Sequence, residues 1–307
     1  MNTGYGSTLT SVSKINESVL EKKAISEYGK KRIDNEILFY QEITSNNIKF
    51  PMPRILNIYD YRFRMEYLNN YITYQQYLEK GNNLEINKIF NDFKLLHQLK
   101  KEISKEFFIE NLKTETYIKV KERYQEISEL VKKYSFIKKV NGIKILNLDF
   151  ILNFIEKWID DYVELIDCEK IYYYPVHGDP QLNNILINEE TKDIKYIDPK
   201  GSFGKSDFYG MKEYDYAKFY FGLGGYSYFD LKEVKKLDID KDNINIDIKS
   251  FDSLHESKYD FKEVNLINIF IISIWLGNAH CFKDNEFKAI ESFYFAIYLS
   301  TKLIKSI

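Results

Sequence analysis

Three polar residues at fixed spacing, set in an apolar frame, constrain this chain more than any other feature of its sequence. Asp179 follows His177-Gly178, Asn184 comes five residues later (184 − 179), and Asp198 comes fourteen residues after that (198 − 184). A short His-Gly-Asp occurs by chance in many proteins, whereas the full set of offsets does not. The spacing therefore predicts that these side chains act together.

The segment between Asn184 and Asp198 has the pattern of a β-hairpin. Two short apolar runs, 185–187 and 194–197, flank a polar turn at 188–193. Because a hairpin brings its two ends back together, we expect Asp198 to return to the neighbourhood of Asn184. The plainer alternative is a tight turn with a capping Asp and a surface Asn.

The predicted geometry suits phosphoryl transfer. Mg²⁺ prefers oxygen ligands, often one or two carboxylates together with phosphates, and Asp198 with the side-chain oxygen of Asn184 fits that description. The reaction also needs a carboxylate to orient the attacking hydroxyl and take its proton, and Asp179 fits that role. We therefore predict Asp179 as the catalytic residue and Asn184 and Asp198 as the metal ligands.

The spacing resembles the catalytic loop and metal-binding Asp of the protein-kinase-like fold. Gly178, where protein kinases have Arg, resembles the small-molecule branch: aminoglycoside phosphotransferases and choline/ethanolamine kinases. A short connection from Asp198 into the Asp-x-Ala helix at 213–218, with no Ala-Pro-Glu, is similar to that branch as well. The chain departs from the usual pattern at 180–183 and at 199–200, which weakens the transfer of any particular substrate, aminoglycosides above all.

The resemblance implies an α+β, two-lobed protein-kinase-like fold, with a small β-rich N-lobe and a larger, mainly helical C-lobe. We expect the nucleotide-binding lobe at 1–68 and the catalytic and acceptor-binding lobe at 69–307, with a possible insertion at 226–262. The hydrophobic patterns predict helices and strands across both lobes. The predicted strands are 9–15, 18–25, 54–59, 61–67, 185–187 and 194–197, with an edge-like strand at 244–248; the predicted helices are 32–43, 72–78, 86–99, 116–134, 149–166 and those between 262 and 305.

A kinase-like lobe needs a strand lysine that reaches the nucleotide phosphates. Strand alternation sends only one of Lys22 and Lys23 inward, and we favour Lys22, which shares a face with Leu20. Such a lysine is held by a helix glutamate in this fold. Glu36 fits that role, and Glu42 is the fallback.

Other nucleotide contacts follow from the resemblance. Gly4, Gly6 and Ser7 precede a β-prone run, and glycines between strands let backbone N–H groups approach a phosphate closely. Glu66 and Leu68 end a predicted strand and resemble the hinge whose backbone binds an adenine edge. A flexible N-terminal stub and a plain strand end remain the alternatives.

Two further residues near these motifs have predicted structural roles. Asp215 has a good N-cap residue type and is placed to brace the catalytic loop through backbone N–H groups. His97 ends a predicted helix, where we expect it to pack or cap rather than to bind a ligand.

Composition excludes several classes of protein. A net charge of −2 gives no positive field for nucleic acid. Two distant cysteines form no disulfide framework, four scattered histidines show no metal-ligand spacing, and the N-terminus lacks a signal pattern. The longest apolar run, 269–276, is too short to span a bilayer. We therefore expect a cytoplasmic protein with no membrane insertion.

The resulting functional hypothesis is an ATP- (or GTP-) and Mg²⁺-dependent phosphotransferase acting on the hydroxyl of a small metabolite. Sugar, amino alcohol and aminoglycoside-like acceptors all stay open, as does a role in surface-polysaccharide biosynthesis; the oligomeric state stays open too. The alternative is a catalytically inactive kinase-like binding or scaffold protein, which predicts the loss of a phosphate lysine, base or metal ligand. A protein kinase is disfavoured by the short region after Asp198.

Overall fold

The computed structural model describes residues 9–166, 170–250 and 261–307, with side chains from 264 onward in the last range. In chain order, the strands are β1 Thr10–Asn16, β2 Val19–Ala24, β3 Ile55–Tyr59, β4 Arg62–Glu66, β5 Tyr71–Thr73, β6 Lys101–Ile103, β7 Lys139–Val140, β8 Ile143–Lys144, β9 Ile171–Pro175, β10 Ile185–Asn188, β11 Ile194–Tyr196, β12 Ser202–Phe203, β13 Ser206–Asp207, β14 Tyr209–Gly210, β15 Asp238–Asp240 and β16 Asn243–Asn245. The helices are α1 Glu27–Ser45, α2 Tyr74–Glu79, α3 Ile86–Leu96, α4 Lys105–Lys113, α5 Lys119–Lys133, α6 Leu148–Leu165, α7 Lys212–Phe221, α8 Ser227–Leu231, α9 Phe261–Asn278 and α10 Glu286–Leu303. The predicted α+β class is confirmed.

The chain forms two compact units. The first consists mainly of the described part of Met1–Glu102 together with Tyr172–Leu231. The second consists mainly of Ile103–Ile171, Lys232–Lys249 and the described part of Ser253–Ile307. The division into lobes at residue 68 stays a prediction.

An antiparallel sheet of four strands, in the order β1-β2-β4-β3, begins the first unit. Alternating side chains along these strands place Phe63 and Met65 in a small core, with Leu20 packed against it. Helix α1 covers this core with Ile33 and Tyr40, which lie seven residues apart on one helix face. The sheet and α1 therefore hold each other in place, and with them any side chain that faces the core.

Helix α1 begins at Glu27, five residues before the predicted start at Arg32. The hydroxyl of Ser26 accepts a hydrogen bond from the Gly29 N–H at 3.0 Å and caps the helix. The polar stretch after Ser26 is thus the first turn of the helix, which an apolar periodicity cannot detect because this turn faces solvent for much of its surface.

A second sheet, in the order β11-β10-β5, carries the predicted hairpin. The prediction of a helix beginning at Ile72 was wrong, because Ile72 lies in β5 and pairs with Ile187 of β10. Helix α2 starts two residues later, where Thr73 and Gln76 form a capping box. Helix α3 ends at Leu96 rather than Leu99, with His97 at its C-terminus.

The second unit contains helices α4, α5, α6, α9 and α10 and a small sheet in the order β15-β16-β7-β8. Its core includes Trp275, which packs edge-to-face on Phe295 at 4.8 Å between ring centroids. The predicted edge strand at 244–248 is shorter and lies inside its sheet: β16 pairs with β15 on one side and β7 on the other. Ile244 is fully buried there, which explains the alternating isoleucines. Residues 251–260 of the predicted insertion, with His255, and Cys168 lie outside the described residues.

In the described part of the chain, one stretch, Val264–Phe282, is long and apolar enough to cross a membrane, with a mean hydropathy of 1.4. Of that stretch, 78% is buried inside the protein. A core helix passes the same test, so this stretch is weak evidence for a membrane span.

Candidate active site

The hairpin β10–β11 places Asp198 beside Asn184, as the spacing predicted. Ile185 pairs with Tyr196, and the Ile197 N–H donates to the Asn184 carbonyl at 3.0 Å. Asp198 is the next residue along the chain. The backbone ladder alone therefore fixes the separation of the two predicted metal ligands.

Asp198 has a left-handed backbone with φ of 57°, which is uncommon for a residue with a side chain. The guanidinium of Arg32 donates to the Asp198 carbonyl at 3.3 Å and supports this conformation. Sparsely populated backbone conformations cluster at functional sites, because surrounding contacts must hold them. The turn thus directs the carboxylate of Asp198 toward Lys22, at the cost of some backbone strain.

The structure brings Lys22, Glu36 and Asp198 together. The Nζ of Lys22 lies 2.7 Å from the Glu36 carboxylate and 2.5 Å from the Asp198 carboxylate. Lys22 is 3% exposed, whereas Lys23 points to solvent. Glu42, the fallback for Glu36, lies near the end of α1 and accepts hydrogen bonds from Asn46. Of the alternatives left open by the sequence, Lys22 rather than Lys23 contacts Asp198, and Glu36 rather than Glu42 contacts Lys22.

Burial and charge set the ionisation of this cluster. Burial raises the pKa of Glu36 to about 7, although Lys22 opposes the shift. Burial also works against the charged forms of Lys22 and Asp198, but their attraction outweighs it: the pKa of Lys22 is raised and the pKa of Asp198 is lowered. Their attraction thus favours the charged forms of Lys22 and Asp198, while burial favours the neutral form of Glu36, whose buried Oε1 has no hydrogen-bond partner among the described residues.

Asn184 closes the predicted catalytic loop onto Asp179. Its Nδ2 donates to the Asp179 carbonyl at 2.9 Å and to the carboxylate oxygen Oδ2 at 3.2 Å. The spacing of five residues is what lets one amide group reach both atoms. The loop needs glycine at position 178, where φ is +78° and a Cβ would lie 3.1 Å from the Lys200 Cβ and 3.2 Å from the Ser202 carbonyl.

Asp215 braces the loop from helix α7, as predicted. It is fully buried and accepts hydrogen bonds from the N–H groups of His177 at 3.0 Å and Gly178 at 2.7 Å. It also meets Nε2 of His97 at 3.0 Å, which gives that histidine a structural role. Asp215 is not the N-cap, because α7 begins three residues earlier at Lys212. His177 is buried with a lowered pKa, and its Nε2 lies 3.1 Å from the Ile197 carbonyl.

Two cations of the site were not singled out from the sequence: Lys218 and Arg32. The Nζ of Lys218 lies 3.1 Å from Oδ1 of Asp179. Burial works to raise the pKa of Asp179, but Lys218 and then Arg32 outweigh it and lower that pKa. Helix spacing carried a signal for both, because Lys218 follows Asp215 by three residues and Arg32 precedes Glu36 by four.

The remaining predicted nucleotide residues are Glu66 and Leu68, near the end of β4, and Gly4, Gly6 and Ser7. Glu66 ends β4, and both its side chain and its N–H group bond the backbone of Arg54. The role of Glu66 and Leu68 as a hinge stays a prediction. Gly4, Gly6 and Ser7 lie outside the described residues.

The residues present fit a magnesium ion that a nucleotide helps to hold. In the part of the chain that the structure describes, no group of three or more His, Cys, Asp or Glu residues can hold a metal ion. One carboxylate and one amide oxygen, Asp198 and Asn184, match the small ligand sets that Mg²⁺ takes when phosphates complete its coordination.

Comparison with solved structures shows that the fold of the chain is similar to that of small-molecule kinases. The chain is similar to choline kinase LicA from Streptococcus pneumoniae, with a TM-score of 0.52, 10% identity and coverage of 98% of this chain and 92% of that one. It is similar to the GDP complex of wild-type aminoglycoside 2'-phosphotransferase-IIIa, with a TM-score of 0.52, 12% identity and coverage of 97% and 90%. A choline/ethanolamine kinase family protein from Mesorhizobium loti gives a TM-score of 0.51 at 11% identity, covering 95% and 85%. The predicted resemblance is thus confirmed at the level of fold.

No protein-family model matches the chain, and no curated protein matches it by sequence.

Proposed function

We propose that this protein is an ATP- or GTP- and Mg²⁺-dependent phosphotransferase that phosphorylates a hydroxyl of a small metabolite. The observation that supports it best is the chain of contacts Glu36–Lys22–Asp198, which lies in the same compact unit as the Asp179–Asn184 pair. A phosphate lysine, a candidate base and two oxygen ligands are the groups that phosphoryl transfer requires.

Lys22 binds the nucleotide phosphates in this proposal, and Glu36 holds it in place. Asp198 and the side-chain oxygen of Asn184 would hold Mg²⁺, and the ion would supply charge stabilisation for phosphoryl transfer. The amide group of Asn184 already bonds Asp179, so the same side chain orients the base and the metal.

Asp179 orients the acceptor hydroxyl. Its lowered pKa makes it a weak base at neutral pH, because Lys218 and Arg32 stabilise its charged form. Phosphoryl transfer through a loose transition state needs little basic strength and mainly needs alignment of the attacking oxygen. The carboxylate therefore acts chiefly by position and accepts the proton late.

The scaffold alternative requires at least one of these groups to be missing. Lys22, Asp179, Asn184 and Asp198 are all present; Lys22 pairs with Asp198, and Asn184 donates to Asp179. A protein substrate is disfavoured by the short connection from Asp198 to α7, which leaves no long activation segment.

The setting of the reaction follows from its substrates. We place the protein in the cytoplasm, where nucleotide and Mg²⁺ are available. A sugar acceptor would connect it to surface-polysaccharide biosynthesis, whereas an amino alcohol would not.

The decisive test is the Asp179→Ala variant, with Asp207→Ala as a control at an exposed carboxylate. Removing the orienting carboxylate lowers turnover by about 10²–10⁴-fold, while nucleotide binding persists because Asp179 does not touch Lys22. Binding is measured by thermal shift with ATP or GTP, with and without Mg²⁺, and turnover by nucleotide consumption with hydroxylated metabolites. Full turnover in Asp179→Ala, or no thermal shift at millimolar nucleotide in the wild type, contradicts the proposal.

A further inference from the structure

Lys218 lies beside the carboxylate that orients the acceptor hydroxyl in the proposed function. Lys218 Nζ lies 3.1 Å from Oδ1 of Asp179, and the other carboxylate oxygen already accepts from Asn184. A hydroxyl that bonds Oδ1 at about 2.7 Å is at most about 6 Å from that ammonium. Substituents next to the hydroxyl therefore lie within a Debye length of the charge, about 8 Å at physiological ionic strength.

The ammonium is anchored rather than free to swing away. It lies 5.2 Å from the ring centroid of Phe221 and 5.9 Å from that of Tyr214, and the side chain is 16% exposed. Aromatic faces attract a cation at such distances. Lys218 also comes from α7, the helix that Asp215 ties to the catalytic loop, so its base cannot shift without the loop.

Asp179 pairs with Lys218 at 3.1 Å, and the other carboxylates around the loop are engaged elsewhere. Asp198 is engaged by Lys22, and Asp215 is engaged by loop N–H groups and His97. Arg32 adds a second positive charge whose field reaches Asp179. On the Lys218 side of this ion pair, a cationic substituent of the acceptor would meet like charge, whereas a carboxylate or phosphate there would meet an ion-pair partner.

We propose that Lys218 makes the acceptor subsite selective for neutral or anionic hydroxyl compounds, such as sugars and hydroxylated acids or phosphates, against cationic ones. The proposal rests on the proposed phosphotransferase function and narrows its substrate class. It sets this chain apart from enzymes whose acceptor is choline, a quaternary ammonium compound.

Two acceptor series test the charge preference: glucosamine, glucose and glucuronate, which share a six-carbon sugar skeleton, and 3-amino-1,2-propanediol, glycerol and glycerate, which share a three-carbon one. Values of kcat/KM are measured for each compound by nucleotide consumption. In the wild type we expect the anionic member to exceed the cationic member by about tenfold or more, in line with one close charge interaction. Lys218→Gln keeps a hydrogen-bond donor for Asp179 but removes the charge, and it brings that ratio close to one.

Two variants control for effects other than charge. Lys218→Arg keeps the charge and retains the ratio. Lys212→Gln removes a lysine from the same helix that pairs with Glu213 instead, and it leaves the ratio unchanged. The thermal shift with ATP and Mg²⁺ is recorded for every variant, so that a folding defect is recognised separately.

Three results overturn the inference while leaving the phosphotransferase function intact. The first is a wild type that uses the cationic members as well as the anionic ones. The second is an equal loss for every acceptor in Lys218→Gln, which would place the lysine on the transferred phosphoryl group. The third is Mg²⁺-dependent nucleotide binding with no turnover of any member of either series. Absence of nucleotide binding itself instead contradicts the proposed function.

Discussion

Glycine 178 shows how one missing side chain permits the geometry of the catalytic loop. Its φ of +78° is shared by Gly142, at +76°, in the β7–β8 turn of the second unit. The two positions differ in their surroundings, because a Cβ at Gly142 would have nothing within 4 Å, whereas one at Gly178 would press on Lys200 and Ser202. Comparing alanine substitutions at Gly178 and Gly142 therefore separates the cost of a left-handed backbone from the cost of a steric clash.

We expect Gly178→Ala to lower the free energy of unfolding by more than Gly142→Ala. Gly142→Ala should cost about 1 kcal/mol from the left-handed backbone alone, and Gly178→Ala adds the displacement of the loop. That displacement also moves Asp179, so only Gly178→Ala should reduce turnover. Urea unfolding measures the loss of stability, and nucleotide consumption measures turnover. Equal losses of stability at the two sites would show that the loop accommodates the added Cβ without cost.

Glu36 makes the free energy of unfolding depend on pH. Its pKa is about 7 when folded against 4.5 ordinarily, so the folded state binds the proton more tightly. Its contribution is fully present below about pH 4.5 and is lost as the pH rises through about 7. The lowered pKa values of Asp179 and Asp198 affect a different pH range, because the stability that they contribute is lost only below about pH 3.8. Buried His177 has the opposite sign, because its contribution is lost as the pH falls below 6.5.

The Glu36→Gln variant removes the pH-dependent contribution of Glu36 to the free energy of unfolding. Between pH 5 and 7, the wild type should lose stability relative to Glu36→Gln as the pH rises, with a slope of at most about 1.4 kcal/mol per pH unit. His177 is present in both proteins and cancels in the difference. Urea unfolding at several pH values provides the measurement, and a difference that stays flat across this range would show that Lys22 keeps Glu36 ionised.

Helix α7 and its C-cap residue, Gly222, contact the predicted catalytic loop at three points along one face. Asp215, Lys218 and Gly222 are spaced by three and four residues, so they lie one above another. Asp215 bonds the loop N–H groups, Lys218 meets Asp179, and Gly222 allows close contact, since a Cβ there would be 2.9 Å from the Leu182 N–H nitrogen. The helix is thus part of the site rather than a support beneath it.

We expect Asp215→Asn to loosen the loop without unfolding α7. An amide has only one oxygen, so one of the buried N–H groups of His177 and Gly178 loses its acceptor, at about 1–3 kcal/mol. Faster hydrogen exchange at Gly178 and lower turnover should accompany the loss of stability. Glu213→Gln, a charge change in the same first turn, is the control; unchanged exchange in Asp215→Asn would mean that the loop is held by other contacts.

The sequence could predict elements whose cause is local. The β10–β11 hairpin and the choice of Lys22 over Lys23 follow from alternation and turn residues. Strand β5 could not be predicted, because Ile72 is extended only through its pairing with β10, more than a hundred residues away. The contact of Lys218 with Asp179 could not be predicted for a related reason. The two residues are distant in sequence, and a lysine on a helix is usually exposed to solvent.

At the scale of the whole molecule, ligand binding should appear as stability. A nucleotide bound only by the folded state raises the free energy of unfolding by mass action, about 2.7 kcal/mol at a hundred times its Kd. Part of that gain should depend on Mg²⁺, since Asp198 and Asn184 supply its protein ligands in the proposed site. A substitution at Asp198 should remove the Mg²⁺-dependent part of this stabilisation and leave the rest.

We expect Asp198→Asn to abolish the Mg²⁺-dependent part of the thermal shift and to keep a smaller, metal-independent part through Lys22. Asparagine suits the left-handed backbone at this position, so the fold should persist. Asp207→Asn, at an exposed position, controls for the loss of one charge and should retain the full shift. A Mg²⁺-dependent shift in Asp198→Asn equal to that of the wild type would place the metal away from the hairpin. In that case the spacing of Asn184 and Asp198 would serve the fold alone.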